Sequence, residues 1–253
     1  MNVIFVFVFG LIIGSFLNVC IYRIPREESI AFPPSHCTNC NAKIKWYDLI
    51  PVVSYIMLRG KCRHCGEKIS IIYPIIEILN ALLWVITYLN YGFALSFFKY
   101  IFLISLFIVI ALIDYNTQDI YFNTIIVGII GAICFIIIES IFYKNVYQIL
   151  NYALGGLISS GIICIIILIT KGMGWGDAEM CLIAGLFLGF PESLFMLLIS
   201  FVVGGIISVL LLALNKKKRK DAIAFGPFIA IGTAIMCIYG TQILTWYVQK
   251  FIV

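Results

Sequence analysis

Two carboxylates stand at the edges of long apolar runs. One lies in Ala111-Leu112-Ile113-Asp114-Tyr115, the other in Gly172-Met173-Gly174-Trp175-Gly176-Asp177. An ionisable side chain at membrane depth is costly to keep, so it marks a functional site by default. Two such groups around one water titrate as a pair, one charged and one protonated near neutral pH. The charged member takes a proton from water and the protonated member polarises a carbonyl. That is the chemistry of aspartic proteases, and it needs neither a metal nor a covalent step. Gly172, Gly174 and Gly176 let the backbone turn tightly and let an extended substrate come close.

Residue type leaves a second reading open: each aspartate caps the helix that follows it, a position aspartate favours. Asp119 precedes Ile120 and reads as a cap or turn residue rather than a catalyst. Glu77, just inside an apolar run after Tyr73-Pro74, is harder to explain in that way and is a candidate for a role in function or folding.

Cys37-Thr38-Asn39-Cys40 and Cys62-Arg63-His64-Cys65 form two C-x-x-C pairs with 21 residues between them. That is the spacing of a zinc ribbon or treble-clef knuckle, in which two tight turns each supply two thiolates. Four thiolates close a tetrahedral site and leave no position for water, so the expected metal is a structural zinc. A redox role for one pair is the alternative. His36 and His64 flank these cysteines and read as neighbours of the site rather than ligands. Cys20, Cys134, Cys164, Cys181 and Cys237 lie in apolar segments and read as small buried hydrophobes.

The elements that must hold these groups are helices in a membrane. Of 253 residues, 63% are hydrophobic and 11% charged, against roughly 45–50% apolar in ordinary soluble domains. The expected fold is an all-α polytopic membrane protein of about eight transmembrane helices with a small zinc-bound cytoplasmic loop domain. The spans fall near 2–22, 73–91, 96–113, 121–143, 148–170, 178–190, 193–214 and 223–248. The sixth is short, and joining it to the seventh across Pro191-Glu192-Ser193 gives seven. The run from Met1 to Tyr22 lacks a basic start and reads as a retained first helix rather than a cleaved signal.

Basic residues set the orientation. Arg23, Arg26, Lys43, Lys45, Arg59, Lys61, Arg63 and Lys68 lie in the first loop, Lys171 beside Asp177, and five more in the run 216–220. Lys99, Lys144 and Lys250 fall on the other side. The positive-inside rule makes the richer side cytoplasmic, with both chain ends outside and with Asp114 and Asp177 facing the cytoplasm. Topology and contact with anionic lipid suffice for the run 216–220. The net charge of +5 is not gathered on one face, so lipid and not nucleic acid is the expected partner.

The chain resembles the bifunctional type IV prepilin peptidases, or leader peptidase/N-methyltransferases, nearly end to end. The first motifs are Gly14-Ser15-Phe16-Leu17-Asn18-Val19, Tyr22-Arg23-Ile24-Pro25, Cys37-x-x-Cys40 and Trp46-Tyr47-Asp48-Leu49-Ile50-Pro51. Leu58-Arg59-Gly60-Lys61-Cys62-x-x-Cys65 and Tyr73-Pro74-Ile75-Ile76-Glu77 follow, then Ile113-Asp114, Gly174-Trp175-Gly176-Asp177 and Phe225-Gly226-Pro227-Phe228. A lone GxGD is weak; this ordered set with the double C-x-x-C is specific.

The resemblance implies aspartic proteases of the GxGD class in a bacterial plasma membrane. They cut a basic leader from type IV prepilins and pseudopilins on the cytoplasmic face. They then methylate the new N-terminal residue, commonly phenylalanine, with S-adenosylmethionine. Its catalytic aspartates map onto Asp114 and Asp177, its zinc cysteines onto Cys37, Cys40, Cys62 and Cys65. Gly60 matches a glycine associated with methyl transfer. The implied division is a first helix at 1–22, a zinc-binding, methyltransferase-associated loop domain at 23–72, and a transmembrane peptidase domain at 73–253.

Three departures bear on substrate detail: Glu179 where the family usually has lysine, Ile120-Tyr121-Phe122-Asn123 in place of an Ile-Pro-Asp-like segment, and Thr38 where proline is frequent. No glycine-rich nucleotide-binding loop is present, so the methyl-donor residues stay unassigned. The competing readings are a peptidase without methyl transfer and an ion- or proton-coupled transporter.

Overall fold

A computed structural model describes residues 1–144, 147–216 and 223–251. Among them it forms nine α-helices: α1 (Asn2–Arg23), α2 (Val53–Met57), α3 (Ile72–Tyr91), α4 (Leu95–Thr117), α5 (Phe122–Tyr143), α6 (Tyr147–Thr170), α7 (Trp175–Leu188), α8 (Glu192–Ala213) and α9 (Gly226–Phe251). The described residues contain no strand beyond two isolated bridges.

Seven of these helices, all but α2 and α7, are long and apolar enough to cross a membrane. Their outer faces agree. On α5 the exposed residues Ile126, Ile130, Ile133, Ile137 and Ile141 recur at helical spacing, an apolar stripe that only lipid or another helix can cover. The chain is a multi-pass membrane protein.

Eight spans were expected, and the run 178–190 accounts for the difference. It belongs to α7, whose 14 residues reach about 21 Å, short of a hydrocarbon core of roughly 30 Å. The segment is apolar because it is enclosed by protein: Met180, Cys181, Ile183 and Ala184 have no exposed surface. A buried short helix and a lipid-facing span share a composition, and length separates them. Of the basic run, Lys216 is described and 217–220 lie outside the described residues.

The chain forms two compact units, residues 1–92 and 93–253. In the first, α1 and α3 pack antiparallel. A Cβ on Gly10 would stand 2.6 Å from Cα of Ala81, and one on Gly14 2.7 Å from Cα of Glu77. This Gly-x-x-x-Gly step lets the two backbones touch. Side-chain amides fix the register: Asn80 Nδ2 donates to the Gly10 carbonyl at 2.8 Å, and Asn18 Nδ2 to the Tyr73 carbonyl at 3.0 Å.

In the second unit α7 is the central element, packed by α4, α5, α6, α8 and α9. Gly155 of α6 and Gly185 of α7 meet backbone to backbone. Ser159 donates its hydroxyl hydrogen to the Cys181 carbonyl at 2.8 Å.

Candidate active site and metal centre

Asp114 sits in the last turn of α4 and Asp177 in the first turn of α7, with 6% and 7% of their surfaces exposed. Each is met by the backbone N–H of a glycine at a helix start. Gly174, the N-cap of α7, donates to Asp177 Oδ2 at 3.2 Å. Gly226, which opens α9, donates to Asp114 Oδ2 at 2.9 Å. Helix N-termini carry partial positive charge and hold anions there.

The two carboxylates share one locality. A Cβ on Gly226 would stand 2.5 Å from Asp114 Oδ2 and 3.2 Å from Sδ of Met180. Met180 lies three residues beyond Asp177, hence on the same face of α7. Asp177 accordingly lies in the electrostatic field of Asp114. Two buried carboxylates in one locality, each braced by a backbone N–H, could do acid–base work on a shared water.

The capping alternative divides. Asp177 does cap its own helix through Gly174. Asp114 does not cap α5, the helix after it: Tyr121 is the N-cap there, and Thr124 Oγ1 donates to the Tyr121 carbonyl at 2.6 Å. Asp119 is exposed and turns the chain, its N–H donating to Thr117 Oγ1 at 3.3 Å. Glu179 is exposed, because two residues of helix carry it round α7 away from the Asp177 face.

The glycines work differently from expectation. Gly174 has ordinary extended angles, φ −80° and ψ 152°, so its use here is its N–H. Gly176 is needed for contact, since a Cβ there would lie 2.8 Å from Cβ of Ile120. That contact seats the loop after Asp114 against the start of α7.

In the first unit the four expected cysteines converge, their Sγ atoms all within 4.8 Å of one another. Cys37 Sγ and Cys65 Sγ are 3.8 Å apart, the edge of a tetrahedron with metal–sulfur bonds of about 2.3 Å. The two turns repeat one pattern: Asn41 N–H donates to the Cys37 carbonyl and Gly66 N–H to the Cys62 carbonyl. Bridges His36–Lys43 and Lys61–Lys68 close the two turns. Backbone N–H groups of Cys65 and His64 pull the Cys62 thiol down to about 7. Cys40, although the Ala42 backbone N–H pulls it down, is held up at about 11 by its desolvation and its hydrogen bonds with the other three cysteines, so the four thiols share charge unevenly. The cluster could hold a metal ion. Close by in sequence, Arg63 grips Asp48 with two hydrogen bonds, 2.6 and 2.9 Å, and holds its carboxyl below the usual range.

One buried cluster was not anticipated. Lys99, counted with the loop charges, is inside the bundle at 4% exposure and donates to Glu139 at 2.9 Å and to the Tyr152 hydroxyl at 3.0 Å. A lysine three residues into an apolar run is the available sequence signal; its partner stands 40 residues away.

The molecule is thus a polytopic helical membrane protein with paired aspartates inside its bundle and a four-cysteine centre in its first unit. Residues 8–91 match the bacterial peptidase A24 N-terminal domain, and residues 101–209 match the type IV leader peptidase family. Curated relatives match along nearly the whole chain. A prepilin leader peptidase/N-methyltransferase of Legionella pneumophila is 30% identical over 265 residues, covering 95% of this chain and 92% of its own. Those of Bacillus subtilis (strain 168) and Pseudomonas putida are each 29% identical, over 96% and 93% of this chain and 96% and 90% of their own. No solved structure matches significantly. The chain belongs to the type IV leader peptidase family.

Proposed function

We propose that this enzyme removes the leader of type IV prepilins or pseudopilins at Asp114 and Asp177, on the cytoplasmic face of a bacterial plasma membrane. It then methylates the exposed N-terminal amine with S-adenosylmethionine as donor. The observation that carries the peptidase reading is the pairing of two buried aspartates from different helices, each anchored by a glycine N–H.

One carboxylate takes a proton from water as the oxygen attacks the scissile carbonyl. The other gives its proton to that carbonyl oxygen. Collapse of the tetrahedral intermediate breaks the C–N bond: the leaving amine takes the proton the first carboxylate received, and a hydroxyl of the intermediate returns a proton to the second carboxylate, which restores the pair. The N–H groups of Gly174 and Gly226 hold the carboxylates in place throughout.

Methyl transfer is served by the loop 23–72 together with the α1 and α3 residues that line its cavity, and proteolysis by the helices of the second unit, 93–253. Cys37, Cys40, Cys62 and Cys65 hold a structural zinc that fixes the loop, since four thiolates leave no open coordination position. Gly60 has φ +65°, and a Cβ there would stand 2.9 Å from Tyr55 Oη, so a side chain at 60 disturbs the loop directly.

The test is mass spectrometry of a co-expressed prepilin with wild type, Asp114→Ala and Asp177→Ala. Wild type should yield a leaderless pilin heavier by one methyl, and both variants a full-length prepilin. A cleaved, unmethylated product overturns methyl transfer; intact leaders across several pilins overturn the peptidase.

A further inference from the structure

The first unit contains a cavity of about 420 Å³ that runs from α1 and α3 to the cysteine loops. Glu77 lines it, 7% exposed. Its carboxylate is held by neutral donors: the Val52 N–H at 2.8 Å and the Ser15 hydroxyl. No Lys or Arg pairs with it among the described residues. Arg23, a cation of the same wall, spends its guanidinium on the carbonyls of Ser29 and Pro33 at 2.8 and 2.7 Å. Arg63, another, is taken by Asp48, and Lys43, Lys45 and Lys68, which also line the cavity, form no ion pair with Glu77.

Val52 makes the arrangement a built one. It is β-branched, yet its φ is +62°, a conformation such residues adopt only when the surroundings impose it. That backbone turns the Val52 N–H onto Glu77. On α1, the contact of Gly14 with the Glu77 backbone sets the depth of the carboxylate.

A buried carboxylate with neutral donors and no countercharge is a receptor for a cation. The walls beside it include Val19, Leu49, Val52 and Leu58, so the cation it suits is attached to an apolar group. We propose that Glu77 binds the α-ammonium of the cleaved pilin, with the apolar first side chain in the adjoining walls. This rests on the methyltransferase reading above and names the anchor for its acceptor substrate. An α-ammonium offers N–H donors to both carboxylate oxygens, whereas a sulfonium offers none. Glu77 is therefore not assigned to the sulfonium centre of the donor; the donor's own α-ammonium is the rival occupant, and the apolar walls beside Glu77 favour the pilin amine with its apolar side chain.

The experiment uses the full chain in detergent and a pilin peptide beginning at the mature phenylalanine, free or N-acetylated. Wild type should bind the free peptide roughly 10- to 100-fold more tightly than the acetylated one, the range for a buried charged hydrogen bond. Glu77→Gln keeps an acceptor for Val52 and should lose that preference, while Glu77→Asp regains part of it. In Glu77→Gln the KM for pilin in methyl transfer should rise by a similar factor, with leader cleavage within about threefold of wild type. Equal binding of the two peptides by wild type overturns the proposal without recourse to any variant. So does a KM increase confined to the methyl donor. Wild type that cleaves but never methylates overturns the methyltransferase reading itself, a different result from methylation that ignores Glu77.

Discussion

Gly226 and Asp114, 112 residues apart, are joined by one hydrogen bond of 2.9 Å from the Gly226 N–H to Asp114 Oδ2. The same glycine has no room for a side chain, because a Cβ would fall 2.5 Å from that oxygen. Gly226→Ala should therefore push the carboxylate aside and lower leader cleavage by roughly 10- to 100-fold, the worth of a charged hydrogen bond. Gly172→Ala is the control: its Cβ would meet nothing closer than 3.6 Å, and cleavage should stay within about threefold. Initial rates on a co-purified prepilin separate the two.

Asp177→Asn isolates acid–base function from capping. Asparagine at this N3 position can still accept the Gly174 N–H through its amide oxygen, as an amide does in a capping box. The variant should insert and accumulate as wild type does, with cleavage reduced by about 10³-fold or more. Equal loss of abundance and activity would leave capping as the whole role of Asp177.

Lys99 and Glu139 form an ion pair exposed to about 5%. Removing one partner strands a buried charge, so Lys99→Met should lower stability by about 3–5 kcal/mol. Lys99→Met with Glu139→Leu should recover most of it, since apolar replacement of a buried pair is often neutral. Thermal unfolding in detergent measures both. Lys99 is 15 residues before Asp114 on α4, about 22 Å along the axis. The surviving fraction of either variant should cleave at the wild-type rate.

Metal analysis of the purified chain should give about one zinc per polypeptide, as a single four-thiolate site requires. Cys40→Ser or Cys65→Ser should release it, abolish methyl transfer and lower the unfolding temperature, while leader cleavage continues. Metal content unchanged in both variants would rule out the four-cysteine site.

The helices, the aspartates and the cysteine centre were legible because each leaves a local mark. Apolar runs give spans, GxGD and Ile113-Asp114 give carboxylates at run ends, and C-x-x-C spacing gives knuckles. What was not legible depends on partners far along the chain. Nothing near Gly226 in sequence says that its N–H belongs to Asp114. Nothing near Lys99 announces Glu139, so the lysine passed for a loop charge. The brevity of α7 was visible in the segment 178–190, but hydropathy alone could not tell enclosure by helices from enclosure by lipid.

The shortness of α7 bears on how a hydrolase inside a bilayer obtains its second reactant. Every leader removed consumes one water molecule, and lipid supplies none. The chain ahead of α7, Thr170, Lys171, Gly172 and Gly174, is exposed, as is Trp175 at the first position of the helix. Asp177 follows three residues after Gly174. On the proposed chemistry, this exposed stretch beside Asp177 is where the chain around the reacting carboxylates meets its surroundings. Lengthening α7 by one turn at its N-terminal end would draw that stretch into helix while leaving both aspartates in the chain, and should slow cleavage if water is delivered from that side.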